Sequence, residues 1–139
     1  LKGIYRRVEA AGEFNLRRSK RMPNFVLLLH QSPKMLSNAS PEEIQTILAK
    51  YGAWREELVK ANKMRAGIKL GNDGGRHLRL NGGKVAVTDG PYSESQEVLG
   101  GLFMIEATDY DEAVRIAQTG PHLVGGNWIE VRSVDRVHP

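Results

Sequence analysis

Two capped amphipathic helices, four apolar runs of strand length and one glycine-marked hairpin follow one another in the order β, α, β, hairpin, β, α, β. That order predicts an α+β fold, a ferredoxin-like βαβ(hairpin)βαβ sandwich. The plan places two helices on one face of an antiparallel sheet. The chain of 139 residues, 40% of them hydrophobic, is long enough for one such domain with a real core.

Phe25 to Leu29 is an unbroken apolar run ending at His30 and predicts a strand buried on both faces. Loop residues follow, and Ser40-Pro41-Glu42-Glu43 then starts a helix: Ser40 as N-cap, Pro41 in the first turn, Glu43 closing a capping box. Ile44, Ile47, Leu48, Tyr51, Leu58 and Ala61 recur at helical spacing, which predicts an apolar face turned to the core. Met64, Ala66, Ile68 and Leu70 alternate with polar or small residues as in a half-buried strand. His77 to Leu80 and Lys84 to Thr88 flank Asn81-Gly82-Gly83, a hairpin signal because Asn and Gly both tolerate positive φ. Asp89-Gly90-Pro91 breaks that strand, and Gly101 to Ala107 is the next apolar one. Asp109 and Glu112 cap a second helix with Tyr110, Ala113, Val114 and Ala117 on one face, Gly120-Pro121 stops it, and Trp128 to Val134 closes as a strand. Two helices cover only one face of such a sheet, yet the first and third strands of the plan are apolar on both. A second copy of the sheet is the economical cover, so a homodimer is expected.

The net charge of +4 is unevenly placed. Residues 1–21 carry seven basic side chains against Glu9 and Glu13, a net of +5, and the remainder is nearly neutral. This basic N-terminal extension precedes Met22-Pro23, which looks like a natural start, and is expected to be translated upstream sequence, an addition from cloning, or a flexible arm. The domain is then 22–139. No nucleic-acid reader motif follows the arm, so nucleic acid is not an expected partner. No apolar run approaches the ~20 residues of a membrane helix, and no membrane partner is expected. Cysteine is absent, which excludes disulfides, thiolate metal sites and cysteine nucleophiles and suits a cytoplasmic protein.

The segment Asp89-Gly90-Pro91-Tyr92, with Glu94 two residues on, Gln96-Glu97, and Gly100-Gly101 opening a strand, resembles the signature of the DGPF-motif branch of the YCII-related family. Tyr92 stands where that signature has phenylalanine. The later Pro121-His122-Leu123, Gly125-Gly126 and Ile129-Glu130-Val131-Arg132 recur in the same order, so the resemblance spans Met22 to about Val134. It implies a dimeric α/β barrel with a cleft at the sheet surfaces. A few relatives are linked to lyase or dehydrochlorinase chemistry on ring-cleavage compounds through a histidine and an aspartate. Here Trp54 stands where that histidine would be, and Asn62 near the aspartate. The resemblance therefore does not carry that acid and base into this chain.

The residues themselves offer a smaller set of groups. His122, between a helix stop and a Gly-Gly pair, can act as acid or base near neutral pH, with Asp89 or Glu97 as partner; its structural reading is a helix-end histidine bonded to free carbonyls. Asp89 is equally a turn former through its own backbone. His30, Tyr92, Glu94, Glu97, Glu130 and Arg132 are candidate ligand contacts, and Glu130 with Arg132 on one strand face also suits an ion pair. Tyr51 and Trp54 are expected in the core. The spacings of Asp89, Glu94 and Glu97 match no calcium loop, and the Gly-Gly pairs match no phosphate-binding loop, so no metal or cofactor is expected. Two functions remain: a small-molecule-binding or accessory domain, or a small lyase- or isomerase-like enzyme acting on an organic acid or ring-derived substrate through His122.

Overall fold

The computed structural model describes residues 24–32, 38–71, 73–89 and 98–135. The basic extension, Met22 and the stretch from Gly90 to Glu97 lie outside the described residues. Strands β1 (Asn24–Gln31), β2 (Met64–Lys69), β5 (Val98–Glu106) and β6 (Trp128–Ser133) form an antiparallel sheet in the order β2-β5-β1-β6. Helix α1 (Pro41–Lys60) joins β1 to β2, and α2 (Tyr110–Gln118) joins β5 to β6. Strands β3 (Arg76–Asn81) and β4 (Lys84–Asp89) form a two-stranded sheet of their own. Among the described residues the fold is α+β with two helices and antiparallel sheets, consistent with the ferredoxin-like plan and its inserted hairpin.

Both helix starts follow from their caps. Ser40 Oγ accepts the Glu43 N–H at 3.1 Å, and Asp109 accepts the Glu112 N–H at 2.9 Å. Asn62, at φ 58°, turns the chain out of α1, and the Lys63 N–H returns to the Leu58 carbonyl at 2.9 Å. The hairpin turn falls one residue later than the Asn-Gly pair suggests: Asn81 still pairs with Lys84 in the ladder, and Gly82 and Gly83 take the two positive-φ positions. Two glycines bear those conformations at less steric cost than an asparagine would.

Alternation within the strands separates two faces. Phe25, Leu27, Leu29, Phe103 and Ile105 point to the helices and join Trp54, Leu58, Ala113 and Ala117 in one core. Trp54 is held by its indole N–H, which donates to Thr119 Oγ1 at 3.0 Å. Its ring lies against Gly120, where a Cβ would come within 2.5 Å of it. The opposite face of the sheet carries Val26, Leu28, Leu102 and Met104, paired by register and only half-buried. No helix among the described residues covers it, so the second apolar face expected from the sequence is present and open. β5 begins at Val98, three residues before the expected Gly101, because its ladder with β1 continues past an irregularity at Leu29/His30. No helix among the described residues is long and apolar enough to cross a membrane.

Candidate functional site

Helix α1 is divided along its length. Its C-terminal half buries Trp54 and Leu58, whereas Ile44 and Ile47 are half-buried and Leu48 is 47% exposed. Beneath that N-terminal half lies a cavity of about 480 Å³, walled by Ile44, Ile47, Leu48 and Tyr51 from the helix and by Leu29, Phe103 and the small residues Gly67, Gly100 and Gly101 from the sheet. This volume lies in the range that accepts a small organic ligand. The N-terminal part of the stripe expected to meet the core therefore lines a space, while Leu58 meets the core as expected. Hydrophobic period identifies the inward face of a helix, and it is the same for a packed core and for a cavity wall.

The polar end of the cavity is a pair of side chains 71 residues apart in the chain. Tyr51 Oη and His122 Nδ1 are separated by 2.6 Å, and His122 Nε2 lies 2.7 Å from the main-chain oxygen of His30. A carbonyl only accepts, so Nε2 carries the ring proton; Nδ1 is then the acceptor, and the Tyr51 hydroxyl donates to it. His122 is completely buried. Burial pushes its imidazole below the usual value, opposed in part by the backbone hydrogen bonds at His30 and Trp128. Burial also pushes the Tyr51 phenol up. Both shifts hold the pair neutral, phenol protonated and imidazole uncharged. The cavity wall also includes Arg55 and Lys69 and, among the described residues, no carboxylate.

The other candidates fall into separate places. His30, Glu130 and Arg132 are brought together by the β1/β6 register on the open face of the sheet: the His30 ring stacks on Trp128 with centroids 4.0 Å apart, Glu130 Oε1 lies 3.3 Å from His30 Nε2, and Arg132 donates to Glu130 at 3.1 Å. Those bonds hold the Glu130 carboxyl below the usual range, Arg132 contributing most. Asp89 ends β4, exposed, 3.4 Å from Arg76. The partners that reach the His122 ring among the described residues are Tyr51 and the backbone at His30 and Trp128. Tyr92, Glu94 and Glu97 lie outside the described residues. Trp54 and Asn62, at the positions the resemblance associates with an acid and base, are a core ring and a helix-ending turn. Among the described residues no group of three or more acidic, histidine or cysteine side chains is placed to hold a metal ion.

Residues 24–136 match the YCII-related domain, which is more than half of the chain. The chain belongs to the YCII-related family. It is also similar to an uncharacterised protein of Rhizobium meliloti (strain 1021), 27% identical over 95 residues, covering 68% of this chain and 77% of that protein. In this YCII-related domain, Tyr51 is the site residue that the sequence did not single out. Its only sequence signal is chemical: a tyrosine on an inward helix face needs a partner for its hydroxyl, and a histidine in a buried loop needs partners for its ring.

Proposed function

We propose that this YCII-related domain binds a small molecule in the cavity beneath the first half of α1, as a binding or accessory module. The observation that carries the reading is the cavity itself: a mostly apolar space of about 480 Å³ with a hydrogen-bonded phenol–imidazole pair, its imidazole buried, at the wall. Apolar walls with a few fixed polar groups are the usual form of a small-molecule site. A thermal-shift screen of metabolites against the parent chain and an Ile47→Trp variant, which fills the space, tests it. Ligands should raise the parent's Tm by several degrees at concentrations well above Kd and leave the variant unmoved. A screen without hits, or hits that stabilise both chains equally, would defeat the reading.

A homodimer belongs to the same proposal. Val26, Leu28, Leu102 and Met104 give the open sheet face an apolar centre, flanked by the His30–Trp128 stack and Glu130 with Arg132, which suits contact with a second copy in a dimeric α/β barrel. A cleft formed there would be distinct from the helix-side cavity, and His30, Glu130 and Arg132 would border it.

A second reading is favoured by one observation, the buried imidazole at the cavity wall. A histidine whose pKa is lowered by burial is a base that stays uncharged at neutral pH, so acid–base chemistry on a small organic acid could be centred on His122. Turnover of a bound compound that is lost in His122→Gln with binding retained would support it.

A further inference from the structure

The hydrogen-bond polarity of the cavity narrows what can occupy it. We infer that its ligand is a small amphipathic acid, an apolar body with a hydroxyl or amine donor at one end and an anionic group at the other; this rests on the cavity reading above. The chain of bonds is directional. The His30 carbonyl fixes the proton on His122 Nε2, His122 Nδ1 therefore takes the Tyr51 hydroxyl proton, and the remaining lone pair of Tyr51 Oη is what the phenol can offer a ligand. A group seated against Oη must donate. A carboxylate there would set an acceptor against an acceptor in an apolar enclosure, which is costly.

The anion has a different place. Arg55 follows Tyr51 by one helical turn on α1, a rise of about 6 Å, and so lies along the same face. Its guanidinium stem runs beside Gly67 of β2, and Lys69 stands on the same strand. Both line the cavity, and their positive charge favours a negative group near these two side chains. The rest of the wall includes Ile44, Ile47, Leu29 and Phe103, which suit an aliphatic or aromatic body.

Four probes on the parent chain separate the two ends: 4-hydroxyphenylacetate, phenylacetate, 4-methoxyphenylacetate and the methyl ester of the hydroxy acid, each titrated by calorimetry. The hydroxy acid should bind about tenfold more tightly than each of the other three, the worth of one well-placed hydrogen bond or charge contact. Tyr51→Phe should erase the advantage over phenylacetate, and Arg55→Gln the advantage over the ester. Equal binding of the hydroxy and methoxy acids, or of acid and ester, overturns the inference. If the acids fail while neutral apolar compounds bind and are displaced by Ile47→Trp, the cavity reading stands and the ligand class falls. If nothing binds, both fall.

Discussion

His122 shows how a residue can be legible as special while its surroundings are not. Its place after a helix stop marks it in the sequence and suggests a bond to that helix's free carbonyls, whereas its Nε2 lies against the carbonyl of His30 in β1. Its second bond, to Tyr51, could not be read from the chain, because it joins residues that only the β1–α1 and α2–β6 connections bring together. The burial of this ring has a consequence for stability. Its folded-state pKa lies below the ordinary 6.5, so between those two values the unfolded chain binds more protons than the folded one. Stability should therefore be fully present above about pH 6.5 and decline as pH falls from there toward the folded value. Glu112, bonded to Lys63, is lowered from 4.5 and contributes its own loss only in the acid range beneath that. Urea midpoints measured from pH 7.5 to pH 5 should fall in the parent and fall less in His122→Gln, and parallel profiles would assign the loss to other groups.

Helix α1 carries the same lesson at the scale of an element. Its N-cap signals and the extent of its apolar period, Ser40 to Ala61, give its ends to within two residues, since both are local properties of the chain. Whether its apolar stripe meets other side chains or a space depends on the sheet beneath it, where Gly67, Gly100 and Gly101 contribute only backbone to the wall. The two halves of the helix should respond differently to truncation. Leu58→Ala removes a core side chain and should cost about 2–5 kcal/mol, whereas Ile47→Ala enlarges a cavity that already exists and should cost under about 1 kcal/mol. Denaturant unfolding of the two variants checks this, and equal losses would mean that Ile47 is packed as tightly as the core. The buried Arg65–Glu106 pair, which ties β2 to β5 with an Arg65 Nε to Glu106 contact of 2.7 Å, could not be paired from the sequence: Arg65 alternates as an ordinary polar strand position, and Glu106, a lone charge in an apolar run, does not name its partner.

For the whole molecule, the order of elements along the chain was legible because each has its own local signals of cap, turn or period. The open sheet face was legible too, since a strand apolar on both sides declares that both sides need cover. What covers it was not, and a homodimer is the proposal: light scattering should give about twice 15.5 kDa for the parent, and Leu28→Glu or Met104→Glu should yield a folded monomer or abolish folding. A stable parent monomer would leave that face without its proposed partner. The central claim is the location of the ligand, and nuclear Overhauser contacts between a bound screening hit and assigned methyl groups test it most directly. Contacts to Ile44, Ile47 and Leu29 are predicted; contacts confined to Val26, Leu28 and Met104 would put the ligand on the open face and contradict the account.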